Sequence, residues 1–119
     1  MAAARVMRPY TYGAKVVRWV DGDTVWLDVD LGFRMTGELD MRLLDVNTPE
    51  RGQPGYDEAK TFVSELAPAG SEVVIATYKN PDKYGRWLVQ VFTKDDVVVS
   101  VNQKLLTRDL AVAYSGGKR

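Results

Sequence analysis

The clearest pattern in the chain lies between Thr24 and Leu31, where Val25, Leu27, Val29 and Leu31 alternate with Trp26, Asp28 and Asp30. A period of two marks a strand with one buried face and one solvated face. Tyr12 to Val20 reads as its hairpin partner, joined through an Asp21-Gly22 turn. Gly32 to Gly37 turns the chain back into a third strand, Glu38 to Val46, whose Leu43-Leu44 pair breaks the alternation and implies burial on both faces. Thr48 to Gly55 is a loop by its proline and glycine content. The period then lengthens. Ala59, Phe62, Val63 and Leu66 form one apolar stripe on a helix from about Asp57 to Leu66, which Pro68 and Gly70 end. Glu72 to Tyr78 and Trp87 to Thr93 read as further strands. Ser100 and Gln103 form a capping box that opens a helix to about Arg108, and Ala111 to Tyr114 is extended.

Five short strands, one helix after the third and another after the last, make a mainly β, α+β chain. They fit a Greek-key barrel of the oligonucleotide-binding (OB-fold) type. The organisation is a flexible arm over 1–9, one domain over 10–115 and a polar tail over 116–119. The tryptophans read as packing groups, with Trp26 the candidate to face a ligand.

Composition narrows the chemistry. The 119 residues contain no cysteine and no histidine. Disulfides, thiolate zinc sites, cysteine nucleophiles and the serine–histidine triad are excluded. Catalysis would have to use carboxylates, Arg, Lys, Tyr and a hard metal. Sixteen basic and sixteen acidic side chains give a net charge of zero, so nucleic acid would be held locally rather than by bulk charge. No stretch reaches transmembrane length and the N-terminus lacks an apolar signal core. The expected location is cytoplasmic, or secreted if a precursor segment has been removed.

Three polar clusters interrupt the strands: Asp21-Gly22-Asp23-Thr24, Arg42 through Glu50, and Asp82 through Arg86. Asp23, Asn47 and Thr48 offer carboxylate, amide and backbone oxygens, hard ligands that suit Ca²⁺ better than Mg²⁺. Glu50 can take a proton from an attacking water. Arg42 and Arg86 can give paired N–H donors to the oxygens of a pentacoordinate phosphorus. Lys83, Tyr84 and Tyr114 are candidates for the ends of a substrate, through phosphate contact and stacking. Taken singly each has an ordinary explanation: a hairpin turn at Asp21 and Asp23, a Glu50–Arg51 pair, surface salt bridges, rim tyrosines. Taken together they are the inventory for cutting a phosphodiester.

VDGDTVWL, RLLDVNTPE and DKYGRWL, in that order, resemble the thermonuclease or staphylococcal nuclease-like family from about Lys15 to Tyr114. The resemblance implies a five-stranded OB-fold barrel and Ca²⁺-dependent hydrolysis of DNA and RNA, leaving 3′-phosphates. It also implies roles. Asp23 is a metal ligand, Thr48 gives the metal its backbone carbonyl, and Glu50 is the base. Arg42 and Arg86 bind phosphate, while Lys83, Tyr84 and Tyr114 meet the nucleotide. The substrates implied are single-stranded or locally melted DNA and RNA, with no membrane. A non-catalytic nucleic-acid-binding module is the alternative.

Two departures stand out. Asn47 replaces a second metal-binding aspartate, and Asp45 occupies a position that is apolar or glycine in the family. Asn47 removes a formal charge, which implies weaker Ca²⁺ binding unless Asp45 restores it. The resemblance also implies a third helix after the Tyr114 segment in many members, for which the five residues that follow here are expected to be too few. The surface that helix would cover must meet the N-terminal arm, solvent, or a partner such as a second copy in a homodimer.

Overall fold

Strands β1 (Tyr10–Asp21), β2 (Thr24–Gly32) and β3 (Met35–Leu43) form an antiparallel meander in the computed structural model of the chain, which describes residues 10–81 and 86–114. A short β4 (Val46–Asn47) leads to helix α1 (Tyr56–Leu66), then β5 (Glu72–Pro81) and β6 (Trp87–Thr93). Helix α2 (Val101–Thr107) and β7 (Val112–Ala113) follow. The order β1-β2-β3-β6-β5 closes into a five-stranded barrel, with β5 pairing back on β1 and β3 running parallel to β6. β4 and β7 make a separate two-stranded sheet. This is the mainly β, two-helix architecture that the strand and helix periods imply. Among the described residues no helix is long and apolar enough to cross a membrane.

The inward set follows the period of two. Val25, Leu27 and Val29 of β2 are buried with Met41 and Leu43 of β3, Val73 and Ile75 of β5, and Val89 and Val91 of β6. Such a barrel fills with side chains rather than solvent. Helix α1 lays its stripe on one end: Ala59 and Val63 are fully buried, with Phe62 and Leu66 packed against the core. Trp19, a packing residue as its position suggests, donates its indole N–H to the Ala67 carbonyl at 2.9 Å. Gly22 is required by this packing. A β-carbon there would lie 2.9 Å from the Ala59 Cβ and 3.0 Å from the Thr48 Cγ2.

Four local readings need correction. The first turn is Gly22-Asp23 rather than Asp21-Gly22, since Asp21 pairs with Thr24. The third strand does not run from Glu38 to Val46. It stops at Leu43 and resumes at Val46, because Asp45 takes a left-handed backbone (φ 65°). Asp, Asn and Gly reach that region most easily, which accounts for an aspartate at this position. The Ser100 cap holds, its Oγ accepting the Gln103 N–H at 3.0 Å, but the box is half made: the Gln103 amide turns to the Thr107 Oγ1 at 3.4 Å. Finally, Trp87 is 36% exposed and is not a buried packing group.

Asn102 ties α2 to the barrel. Its Oδ1 accepts the Val91 N–H at 3.1 Å, and its Nδ2 donates to the carbonyls of Leu44 and Val89 at 3.0 and 2.9 Å. It is 4% exposed, so water cannot replace these bonds. Asn102→Leu should cost about 2–3 kcal/mol by stranding buried backbone groups. Urea denaturation monitored by tryptophan fluorescence measures this, and a loss below ~0.5 kcal/mol would show that the network carries no weight.

Candidate phosphodiester site

The site forms where four chain segments meet at one end of the barrel, and the segment entering β6 supplies Arg86. The Gly22-Asp23 turn brings Asp23 up from β1–β2. β3 delivers Arg42, whose backbone pairs with Thr24. The exit from β4 delivers Asn47, Thr48 and Glu50. Leu43 N–H donates to the Asp23 carbonyl at 2.9 Å and locks turn to strand. The result is a cleft of about 470 Å³ lined by Asp23, Arg42, Asn47, Thr48, Glu50 and Arg86, with Arg51 and Asp21 at its side.

Asp23 is 5% exposed and lies in salt-bridge contact with Arg42. Its Oδ2 accepts the Thr48 N–H at 3.1 Å and stands 3.1 Å from Arg42 Nη1, while Oδ1 accepts from the Thr24 hydroxyl at 3.3 Å. Arg42 spans further. Its Nη2 donates to Asn47 Oδ1 at 2.9 Å and to the Val46 carbonyl at 3.1 Å, and its guanidinium lies 5.6 Å from the Tyr114 ring centroid. One guanidinium therefore bridges two of the oxygens read as metal ligands. The fork geometry of arginine suits this double contact, and lysine cannot reproduce it.

The remaining site residues fall as follows. Glu50 is exposed at the cleft edge, its carbonyl accepting the Gln53 N–H at 2.9 Å, and it also lines a second recess with Asp109 and Leu110. Arg86 is half-buried where β6 begins. Tyr114 is fixed by its own N–H on the Asp45 carbonyl at 2.9 Å. Asp45 itself is exposed and lies outside the cleft lining, which gives no support to a restored charge beside Asn47. Lys83 and Tyr84 lie outside the described residues.

Sequence reasoning passed over Arg51 and Tyr56. The Tyr56 hydroxyl lies 2.8 Å from Asp21 Oδ1 and 3.2 Å from the Val20 carbonyl, fastening α1 to the cleft floor. Hydrogen bonding to Tyr56, then the Coulombic pull of Tyr56 and Asp21, raises the Arg51 pKa. A third guanidinium thus faces the cleft, beside Arg42 and Arg86. The signal was present in the Glu50-Arg51 pair, which reads by itself as a surface contact.

A hard cation fits these donors in kind. A carboxylate, an amide oxygen and the Thr48 backbone line one cleft, the oxygen set that calcium and magnesium prefer. They fit weakly in charge. Among the described residues no three acidic, histidine or cysteine groups are placed to hold one ion, and Arg42 already pairs with Asp23. The Thr48 hydroxyl is buried without a hydrogen-bond partner among the described residues.

Residues 40–119 match the family model described as staphylococcal nuclease homologue. The chain is 32% identical to an uncharacterized protein of Methanocaldococcus jannaschii, the match covering 87% of this chain and 59% of that protein. It is 34% identical over 101 residues to a protein of Escherichia coli O157:H7 named "uncharacterized endonuclease", covering 84% of this chain and 60% of the relative. The chain thus spans about three fifths of the length of the curated relatives it matches. With the OB-type barrel and the ordered polar clusters, the family match over most of the chain assigns it to the staphylococcal nuclease homologues.

Proposed function

We propose that this chain is a metal-dependent nuclease that hydrolyses phosphodiester bonds in DNA and RNA with little sequence preference and leaves 3′-phosphates. The observation that carries the reading is the meeting of Asp23, Arg42, Asn47, Thr48, Glu50 and Arg86 in one cleft. The name of the Escherichia coli relative points the same way.

The roles follow from the chemistry of each group. Asp23, Asn47 and Thr48 would hold the cation, Ca²⁺ in preference to Mg²⁺. When bound, such an ion supplies positive charge that polarises the phosphoryl group and acidifies water. Glu50 takes the proton of the attacking water. Arg42 and Arg86 donate N–H groups to the non-bridging oxygens, which gain negative charge as phosphorus becomes pentacoordinate. Their guanidinium groups stay protonated, so they stabilise charge and do not act as acids. Lys83, Tyr84 and Tyr114 would hold the flanking nucleotide. Single-stranded or melted nucleic acid suits an open cleft that reaches one phosphate at a time.

A non-cutting nucleic-acid-binding barrel is the second reading. It is favoured by Arg42 pairing with Asp23 and by the uncharged Asn47. Digestion of single-stranded DNA with Ca²⁺, with Mg²⁺ and with chelator separates the two. Metal-dependent cleavage supports the nuclease, and none under any condition supports the binding module.

Asn47 also sets an expectation for ion affinity. Asn47→Asp restores a second formal charge beside Asp23 and should tighten Ca²⁺ binding by about tenfold, since affinity follows ligand charge. Calorimetric titration reads this without turnover. An unchanged affinity would remove Asn47 from the ion site.

A further inference from the structure

Among the described residues the barrel is covered at one end and open at the other. Helix α1 covers the end near the Gly22-Asp23 turn. At the opposite end the last inward-facing rungs of the strands ring an apolar recess of about 420 Å³, lined chiefly by Tyr10, Tyr12, Leu31, Leu39, Met41 and Trp87. Each continues a buried series by the period of two: Tyr12 precedes Ala14 and Val16, Leu31 follows Val29, Leu39 precedes Met41, and Trp87 precedes Val89. These are core positions that, Met41 apart, no described residue fully covers. Tyr10 is 50% exposed, Leu31 43%, and Leu39 and Trp87 36% each. Among the described residues no charged side chain lines the recess. Its size falls in the range of small-ligand pockets, about 300–1,000 Å³, and barrel mouths are a usual place for them.

The recess and the phosphodiester cleft share a wall. Met41 pairs with Trp87 across β3 and β6, and Arg42 pairs with Leu88. Arg42 and Arg86 line the cleft, while their chain neighbours Met41 and Trp87 line the recess. β6 begins at Trp87, so the wall ends there. A strand held by Arg86 outside the wall meets, one residue along, an aromatic ring at the rim of an uncharged pocket. Of possible occupants, a flat aromatic base attached to the phosphate that Arg86 binds matches both features: arginines for the backbone, rings for the base.

We propose that the open mouth of the barrel is a nucleobase subsite, in which a base next to the reacting phosphate stacks on Trp87 among Tyr10 and Tyr12. The proposal rests on the reading of the cleft as a phosphodiester site and adds to it a second point of grip. The subsite recognises a π-face and an apolar edge, so it tolerates any base. It makes the protein prefer unpaired strands, because a base within a duplex cannot turn into the recess.

The test is binding in the presence of chelator, so that no strand is cut. A fluorescein-labelled octathymidylate is compared with an abasic octamer of the same length, on the wild-type chain, Trp87→Ala and Trp87→Phe. Trp87→Ala should weaken the octathymidylate by about tenfold, as loss of one stacked base does, and leave the abasic octamer unchanged. Trp87→Phe should recover most of the loss. Thermal melting shows that the variants are folded, as expected for a side chain on the rim. Equal affinity of Trp87→Ala and wild type for octathymidylate overturns the subsite. The mouth would then belong to another occupant, such as a second copy of the chain, while cleavage by the wild type would leave the phosphodiester reading standing. Equal losses for both octamers also overturn it, since Trp87 would then act on the phosphate cleft. If the wild type neither binds either octamer nor cuts DNA with metal, the cleft reading itself falls, and the subsite with it.

Discussion

Glu50→Gln should slow metal-dependent cleavage of single-stranded DNA by about 10²–10⁴-fold, the usual contribution of a positioned general base. The substitution keeps the shape of the side chain and removes its negative charge, and with it the capacity to take a proton. Glu50 is exposed, and it borders the cleft whose other members are Asp23, Arg42 and Arg86. Its loss should therefore leave folding intact. Affinity for octathymidylate should stay within about twofold, because the bonds to phosphate come from the arginines. Single-turnover kinetics with a matched binding titration gives the answer. A parallel fall in binding and rate would make Glu50 a scaffold for the Pro49–Gln53 loop, where its carbonyl already accepts the Gln53 N–H.

How far these groups converge could be read from the chain only in part. The hairpin, both helices and the inward face of β2 follow from local periodicity, because burial on one side of a strand or helix leaves a repeat in the residues themselves. The break at Asp45 leaves only a faint mark, since a left-handed residue is betrayed by its preference for Asp, Asn or Gly and by nothing else. Closure of the barrel leaves no local mark. The parallel contact of β3 with β6 joins Met41 to Trp87, and no pattern within either strand names the other. Asn102 shows the same limit. It reads as an ordinary residue in the first turn of α2, and its value lies in three backbone groups, two on β6 and one at Leu44 just past β3. The cleft residues were legible as types because reactive chemistry demands particular side chains. Their mutual bonds were not. Nothing in the sequence says that Arg42 reaches Asp23 and Asn47 together. Trp87 misled for a related reason: its period is that of a core residue, and it is exposed because no described residue packs over that end of the barrel.

That double contact gives Arg42 two opposed effects, which can be separated. Arg42→Lys should lower cleavage by about 10²–10³-fold, the cost of removing a preorganised donor to the transition state. The same change should tighten Ca²⁺ binding. In the native cleft the guanidinium sits 3.1 Å from Asp23 Oδ2 and donates to Asn47 Oδ1 at 2.9 Å, so it competes with a cation for both oxygens. A lysine keeps the positive charge beside Asp23 but presents a single point rather than a fork, which frees the Asn47 oxygen. Retaining the charge matters for the experiment. Truncation to an apolar residue would leave the Asp23 carboxylate buried without a counter-ion and would confound the result with lost stability. Calorimetric Ca²⁺ titration and steady-state cleavage on the same preparation test the pair of expectations. Slower cleavage with tighter ion binding identifies Arg42 as a donor to phosphate that is released from Asp23 and Asn47 when the ion enters. Slower cleavage with weaker ion binding would mean instead that Arg42 holds the ion site in shape, and the competition between guanidinium and cation would have to be abandoned.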